Sequence, residues 1–265
     1  MTRTTKECTR PTAHRGRGRR GPALVFAHYW GGSAHTWDAV VGRLPEGRDT
    51  VRFDQRGWGA SRTLPGPYGL DRLADDLLGV VRGLGLDSFV LVGHSMGGKV
   101  SQLAAARRPE GLAGLLLLAP APPRPAPAVT AEYQRFLSHA YDSRQSVEQA
   151  LDRALTAAPL EGAVRETAVR DSLAADEAAR REWPLRGITA DITAAVGRID
   201  VPVLVMAGEH DAVEPESVLR QCLLPYIPHA RLDVVPGSGH LLPLEAPGAV
   251  AEAVEGFVAG LGGGT

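Results

Sequence analysis

Short apolar runs bounded by turn residues recur along this chain and constrain its fold more than any other feature. They lie at residues 23–26, 50–53, 89–92, 115–119, 202–207 and 231–235. Apolar runs without polar alternation are typical of strands that are buried on both faces, as in a parallel sheet. The sequence therefore predicts a sheet whose strands are mostly parallel.

Segments with helical periodicity separate these runs. Apolar residues recur at the spacing of an α-helix in segments 37–44, 73–84, 218–226 and 250–261. A further helix is predicted from Met96 to about Arg107, because Pro109 cannot continue it. Strands and helices alternate, so we predict an α/β protein with a mostly parallel sheet flanked by helices.

The alternation stops between Pro120 and Gly197. This region opens with the proline-rich stretch "PAPPRPAP" and then shows helical spacing without a convincing strand. It is interpreted as an insertion made of short helices. The chain is thus divided into a basic, flexible segment at 1–21, a core formed by 22–119 and 198–265, and a helical cap at 120–197.

Composition limits the classes of partner. Hydrophobic residues make up 44% and charged residues 22% of the 265-residue chain, which is ordinary for a globular protein. Residues 1–20 contain seven Lys or Arg and one acidic residue. This basic segment has no aromatic residue for base stacking and no amphipathic apolar stripe. We therefore expect a solvated tail, with neither nucleic acid nor membrane as a partner.

The cysteines and the apolar runs indicate the compartment. Cys8 and Cys222 are too few for a disulfide scaffold and are not placed like metal ligands. No apolar run reaches the roughly 18 residues of a membrane span, and the run after residue 22 is too short for a signal-peptide core. We expect a cytoplasmic protein without a metal or cofactor.

The stretch "VGHSMGGKV" admits two interpretations. Gly93-x-x-x-x-Gly98-Lys99 resembles a phosphate-binding loop. Such a loop needs Ser or Thr after the lysine to bind Mg²⁺, and this chain has Val100. The run at 115–119 also ends without the acid that would complete the metal site. The sequence therefore argues against nucleotide binding.

The second interpretation is Gly93-x-Ser95-x-Gly97, a sharp turn that presents a nucleophilic serine. The pattern alone is weak, but here it lies between a predicted strand and a predicted helix. That position places Ser95 at the carboxyl edge of the sheet and at a helix N-terminus, whose N–H groups favour negative charge. We predict Ser95 as the nucleophile.

A serine nucleophile needs a base and an orienting acid, in the chain order serine, acid, histidine. His240 follows the last predicted strand and lies at the carboxyl edge, whereas His229 precedes that strand and lies at the opposite edge. The loop after residue 208 offers Glu209, Asp211 and Glu214, of which we favour Asp211. The predicted catalytic residues are therefore Ser95, Asp211 and His240.

Five motifs together resemble the α/β-hydrolase fold family from about Pro22 to the end of the chain. They are "VFAHYWGGSAHTWDAV", "FDQRGWGASR", "VGHSMGG", "VMAGEHDAVEP" and "VPGSGHLLPLEAP". The resemblance implies Ser95 as nucleophile, Asp211 and His240 as its partners, and the backbone N–H groups of Met96 and Trp30 as the oxyanion hole. Asp54 and Arg56, in the second motif, are expected to stabilise the turn.

The chain departs from the family pattern in two places. Family members usually have glycine where this chain has Tyr29 after His28. They also usually begin with two antiparallel strands, so either an edge strand forms around residues 2–9 or the sheet starts short. We expect His28 and His94 to satisfy loop hydrogen bonds and Lys99 to be a solvated charge. The candidate substrate pocket comprises Tyr29, His94, Tyr133, Phe136 and Trp183.

The resemblance implies hydrolysis of a carboxylic ester or lactone, a small molecule, through an acyl-enzyme intermediate. C–C bond hydrolysis and perhydrolysis use the same three residues and remain alternatives, because fold and triad do not separate them. A protein that binds a small molecule without catalysis is a third alternative, disfavoured by the complete set of Ser, Asp and His. The sequence does not indicate an oligomeric state.

Overall fold

In the part of the chain that the structure describes, a seven-stranded sheet forms the centre. A computed structural model describes residues 10–18 and 20–262. The strands are β1 Ala13–Gly16, β2 Arg20–Ala27, β3 Arg48–Phe53, β4 Phe89–His94, β5 Leu112–Leu118, β6 Val203–Gly208 and β7 Arg231–Val235. Their order across the sheet is β1-β3-β2-β4-β5-β6-β7, and of these described strands β1 alone is antiparallel to its neighbour. The predicted fold class is confirmed, and each of the predicted apolar runs contributes to a strand from β2 to β7.

The helices follow the predicted periodic segments. They are α1 Asp38–Val41, α2 Leu70–Gly83, α3 Met96–Ala106, α4 Ala131–Leu137, α5 Arg144–Ala150, α6 Gly162–Ala174, α7 Glu177–Glu182, α8 Thr193–Val196, α9 Glu216–Cys222, α10 Leu242–Glu245 and α11 Pro247–Leu261. Short 3-10 turns lie at Ala34–Trp37, Gly59–Ser61 and Leu224–Tyr226, and one-turn π-helices lie at Leu151–Leu155 and Trp183–Gly187.

The two faces of the sheet bury different helices, because successive strand residues point to opposite sides. Leu91 and Leu115 belong to the apolar cluster that includes α2 and α3. Val90 and Leu116, their chain neighbours, belong to the cluster that includes α1 and α11. The central strands are therefore covered on both faces, which explains why their sequences are continuously apolar.

The described part of the N-terminal segment, residues 10–18 and 20–21, contains strands where a flexible region was predicted for 1–21. Residues 13–16 form β1, which pairs with β3, and β2 already begins at Arg20. Arg15 forms a two-pronged ion pair with Asp49, with N···O distances of 3.0 and 2.6 Å. Its charge is thus neutralised by a partner distant in sequence, so the basic composition did not indicate a strand. The edge strand considered around residues 2–9 lies outside the described residues.

The segment between β5 and β6 contains α4 to α8 and both π-helices, and no strand among residues 119–202, all of which the structure describes. This agrees with the helical content expected for residues 120–197.

Lys99 corrects the expectation of a solvated charge. Every residue of α3 is buried, and Lys99 is 0% exposed. Its Nζ lies 3.4 Å from the carbonyl oxygen of Ile188, in the segment between β5 and β6. That segment covers the helix face that the 3.6-residue period assigns to solvent. Burial lowers the pKa of Lys99 to about 8, although Glu214 and Asp191 oppose the change.

Candidate active site

Ser95 occupies a strained turn between β4 and α3. Its φ and ψ angles are 52° and −117°, in a region that residues with side chains rarely adopt. The turn brings backbones close together: a Cβ on Gly93 would lie 2.6 Å from the carbonyl oxygen of Gly97, and one on Gly97 would overlap the carbonyl of Ala27. Glycine is therefore required on both sides of the serine, as the sequence pattern indicates.

His240 contacts the hydroxyl of Ser95. Its Nε2 lies 2.9 Å from Ser95 Oγ, and both residues are buried in the loop region at the carboxyl edge of the sheet. His240 follows β7 through a short loop, as predicted. His229, the alternative histidine, bonds through Nε2 to the carbonyl oxygen of Val201, at the opposite edge.

Asp211 extends the hydrogen-bonded pair of Ser95 and His240 to a row of three residues. Its Oδ2 lies 2.9 Å from Nδ1 of His240, and its Oδ1 accepts backbone hydrogen bonds from Val213 and Glu214 at 2.8 and 2.9 Å. Burial by itself would raise the pKa of Asp211, but His240 and the two backbone donors together lower it. The ionised carboxylate holds a proton on Nδ1 of His240, which leaves Nε2 free to accept from the serine hydroxyl.

Two other histidines near the site form hydrogen bonds with the surrounding backbone. His94 Nε2 donates to the carbonyl oxygen of His240 at 2.8 Å, and burial lowers the pKa of His94 to about 3. His28 Nδ1 donates to Tyr29 O at 2.7 Å, while its Nε2 accepts from Gln55 N at 3.1 Å. Burial lowers the pKa of His28 as well. Both rings are neutral, and their bonds fit the loop roles expected from the sequence.

The loop after β2 carries Trp30, the second predicted oxyanion donor. Its indole Nε1 donates to the carbonyl oxygen of Arg180 at 2.9 Å, and its ring stacks on Tyr141 with centroids 4.1 Å apart. Its carbonyl oxygen accepts from Nε1 of Trp58. Met96, the first predicted donor, is the first residue of α3, so its N–H has no carbonyl partner within the helix. The structure thus holds the Trp30 backbone in place and leaves the Met96 donor available.

The second motif stabilises the same region. Asp54 accepts from the backbone N–H groups of Ala34 and Ala60 at 2.7 and 2.9 Å. Arg56 forms a buried, two-pronged ion pair with Asp76, with N···O distances of 2.6 and 2.9 Å. These contacts fit the structural role expected for Asp54 and Arg56.

A cavity of about 440 Å³ opens onto Ser95 and His240. Its walls are mostly apolar and come largely from the segment between β5 and β6. Four residues of the predicted pocket line it: Tyr29, Tyr133, Phe136 and Trp183. His94 does not, because its ring is turned to the backbone of His240, and this corrects its placement in the pocket. Phe136 is largely exposed, whereas Trp183 is buried.

Two features of the site were not anticipated. Glu214, considered in the sequence only as an alternative acid, is buried and lines the cavity. The carboxylate of Glu245 accepts from the backbone N–H groups of Gly239 and Leu241, on either side of His240, at 3.0 Å each. The periodicity of the sequence predicts neither the position of Glu214 nor the hydrogen bonds of Glu245, because both depend on how loops meet in three dimensions.

Within the part of the chain that the structure describes, no group of three or more His, Cys, Asp or Glu side chains is arranged to hold a metal ion. None of the helices described there is both long and apolar enough to cross a membrane.

A family model for the alpha/beta hydrolase fold matches residues 22–247. The chain therefore belongs to the α/β-hydrolase fold family, as the five motifs implied, and is an enzyme of that superfamily.

Its relatives include esterases and lactonases. The chain is 28% identical over 240 residues to a bifunctional esterase/perhydrolase from Acinetobacter calcoaceticus, an alignment that covers 85% of this chain and 87% of that protein. It is 28% identical over 241 residues to a 3-oxoadipate enol-lactonase from Acinetobacter baylyi, covering 88% and 87%. Among solved structures, an esterase from Exiguobacterium antarcticum superposes with a TM-score of 0.85 at 22% identity, covering 94% of this chain and 95% of that one.

Proposed function

We propose that this enzyme is a serine hydrolase that cleaves a carboxylic ester or lactone through an acyl-enzyme on Ser95. The observation that carries the proposal is the continuous row of hydrogen bonds from Ser95 through His240 to Asp211. The row faces a cavity large enough for a small organic ligand. The esterase and lactonase relatives support the same reaction class.

In the proposed mechanism, His240 Nε2 takes the hydroxyl proton as Ser95 Oγ attacks the substrate carbonyl carbon. The imidazolium that forms is stabilised by the ionised carboxylate of Asp211. It then gives its proton to the departing alcohol oxygen as the acyl-enzyme forms. Water then attacks the acyl carbon while His240 Nε2 takes a proton from it. His240 returns this proton to Ser95 Oγ as the bond between Oγ and the acyl carbon breaks, and the acid leaves.

The negative charge that develops on the carbonyl oxygen needs donors fixed in advance. We assign this role to the backbone N–H groups of Met96 and Trp30. The start of α3 favours an anion near Met96, and the contacts of the Trp30 ring hold its backbone in place.

We also propose that residues 120–197 act as a cap, inserted into a core formed by residues 22–119 and 198–265. The support is that side chains of this segment, among them Tyr133, Leu155 and Ile188, line the cavity above Ser95. Because these walls are mostly apolar, the substrate is expected to present an apolar group to the cap.

Perhydrolysis is a second candidate, favoured by the similarity to the bifunctional esterase/perhydrolase. In that reaction hydrogen peroxide replaces water as the attacking species on the acyl-enzyme, so the product is a peracid. The same enzyme preparation supplied with acetate esters and hydrogen peroxide should form peracetic acid if the second reaction occurs.

The primary test compares wild type with Ser95→Ala, using p-nitrophenyl esters of increasing acyl length together with simple lactones. We expect Ser95→Ala to lose nearly all hydrolysis while its thermal unfolding stays within about 1 kcal/mol of wild type. A fluorophosphonate probe should label wild type and the exposed-site control Ser88→Ala, but not Ser95→Ala. Turnover retained by Ser95→Ala, or a wild type that neither hydrolyses nor is labelled, contradicts the proposal, and the second result favours a binding protein.

A further inference from the structure

One wall of the mostly apolar cavity carries a carboxyl group that the proposed mechanism does not use. Glu214 is 5% exposed and lines the cavity together with Ser95 and His240. Its Oε2 is buried and has no hydrogen-bond partner among the residues that the structure describes. A buried polar atom without a partner is destabilising by about 1–3 kcal/mol, so such atoms are rare and their presence needs a reason.

The charged and titratable neighbours of Glu214 come from three elements. Asp211 lies in the same loop, Lys99 comes from α3, and Tyr133 comes from α4. No ion pair within 4.0 Å joins Glu214 to Lys99, whose Nζ is directed to the carbonyl oxygen of Ile188 instead. Glu214 is therefore not held as the ionised half of a salt bridge.

Burial first, and then the negative charge of Asp211, raise the pKa of Glu214 well above its usual range, while Lys99 opposes the change. A carboxyl group whose pKa is raised in this way favours the protonated form, which offers an O–H donor. Within the cavity, a ligand atom that accepts this hydrogen bond would satisfy the group.

We propose that Glu214 forms a polar subsite in the cavity, where its carboxyl donates a hydrogen bond to an oxygen acceptor of the substrate outside the scissile ester, such as a ketone or a second carbonyl. This subsite rests on the proposed hydrolase function. It makes Glu214 a specificity-determining residue that distinguishes oxygen-bearing substrates from hydrocarbon ones. A substrate that places an ammonium group beside Glu214 would instead require the ionised carboxylate.

The test compares matched esters that differ by one oxygen. In the acyl series, p-nitrophenyl esters of 3-, 4- and 5-oxohexanoate are compared with p-nitrophenyl hexanoate, each rate divided by the spontaneous rate of the same ester. In the alcohol series, 4-oxopentyl acetate is compared with pentyl acetate by pH-stat. We expect wild type to prefer at least one oxo-ester by about tenfold in kcat/KM, the size of one hydrogen bond.

Variants separate the donor from the charge. Glu214→Gln keeps an N–H donor and should keep the oxo preference, whereas Glu214→Leu and Glu214→Met lack a donor and should reduce the kcat/KM ratio to near one. Two apolar variants are used so that the failure of one to fold does not end the test. Glu216→Gln, a change at a partly exposed residue two positions away, should leave the ratio as in wild type.

The outcomes also separate this inference from the hydrolase proposal. No hydrolysis of any ester by wild type overturns the hydrolase function. Hydrolysis without an oxo preference in either series overturns the subsite alone, as does a preference that survives in both apolar variants. A wild-type preference for p-nitrophenyl 6-aminohexanoate over the hexanoate also overturns it, because that result indicates an ionised Glu214.

Discussion

The carbonyl oxygen of Leu155 lies 3.0 Å from the backbone nitrogen of His240, so the segment between β5 and β6 supports the loop that carries the proposed base. The same carbonyl accepts from the backbone of Leu241, also at 3.0 Å. Glu245 adds a second link, because its Oε1 accepts from the backbone N–H of Ala157 at 2.7 Å and from that of Gly239. The imidazole of His240 is thus positioned by contacts from the segment between β5 and β6 and by Glu245, which follows β7.

Glu245→Leu should lower kcat more than it changes KM. The substitution removes the acceptor for three backbone N–H groups around His240, and a displacement of a catalytic group by about 1 Å can lower the rate roughly 100-fold. We expect a decrease in kcat of roughly 10- to 100-fold, measured with a p-nitrophenyl ester. Glu245→Gln, which keeps one acceptor oxygen, should recover part of the loss.

Glu252→Leu, an exposed change on α11, is the control and should leave kcat unchanged. A loss in Glu245→Leu that appears only in the melting temperature, with kcat as in wild type, contradicts a positioning role for Glu245.

Asp211→Asn should decrease kcat by roughly 10⁴-fold, as expected when the acid of a catalytic triad is replaced by its amide. The amide cannot hold the proton on Nδ1 of His240, so Nε2 no longer presents a lone pair to Ser95. Steady-state kinetics at pH 7 to 8 provide the measurement. Asp233→Asn, at a partly exposed position of β7, should behave as wild type. A nearly active Asp211→Asn enzyme would exclude Asp211 as the orienting acid.

The Lys99→Met variant should be more stable than wild type at pH 7, by about 1–3 kcal/mol. The substitution removes a buried charge that has no ion-pair partner within 4.0 Å among the residues that the structure describes. The pKa of Lys99 is lowered to about 8, whereas the unfolded chain keeps that proton up to about pH 10.4. Above pH 8, Lys99 therefore binds more protons in the unfolded state than in the folded state. This residue consequently destabilises the wild type less as the pH rises. The advantage of Lys99→Met should shrink accordingly towards pH 10.

Urea unfolding of both proteins at pH 7 and at pH 10 measures this difference. An advantage that is the same at the two pH values, or that grows with pH, would show that Lys99 does not titrate near pH 8 in the folded protein.

Asp76→Asn should lower the free energy of unfolding by about 3–5 kcal/mol, because it removes the negative charge that pairs with the buried guanidinium of Arg56. Asp75→Asn is the matched control: Asp75 pairs with Arg107 at the surface, where an ion pair contributes about 0–1 kcal/mol. Chemical denaturation measures both. Below the unfolding temperature, kcat/KM should be the same in both variants, and a selective loss of activity in Asp76→Asn would indicate a functional role instead.

The sheet and the proposed catalytic residues could be predicted from the sequence because each depends on local patterns. Strands buried on both faces need continuous apolar runs, and the parallel arrangement brings the ends of β4, β6 and β7 to one edge. The loops after those strands carry Ser95, Asp211 and His240, so the topology alone predicts their convergence.

Other features depended on partners far away in sequence. The basic residues before β2 gave no sign of a strand, because the acid that pairs with Arg15 lies 34 residues further along. Lys99 is buried by a segment that begins after β5. The helical period of the sequence around Lys99 could not indicate this contact. His94 was expected near the pocket, but its ring satisfies a carbonyl in the loop of His240.

The backbone contact between Leu155 and His240 has a consequence for protein engineering. Chimeras that exchange residues 120–197 with those of another family member would change the walls of the cavity and, at the same time, remove a support of the imidazole. A successful exchange therefore needs a replacement segment whose main chain offers a carbonyl oxygen to His240 where Leu155 does now. The same segment must offer an N–H to Glu245 where Ala157 does now. Libraries that vary only side chains of the segment avoid this coupling.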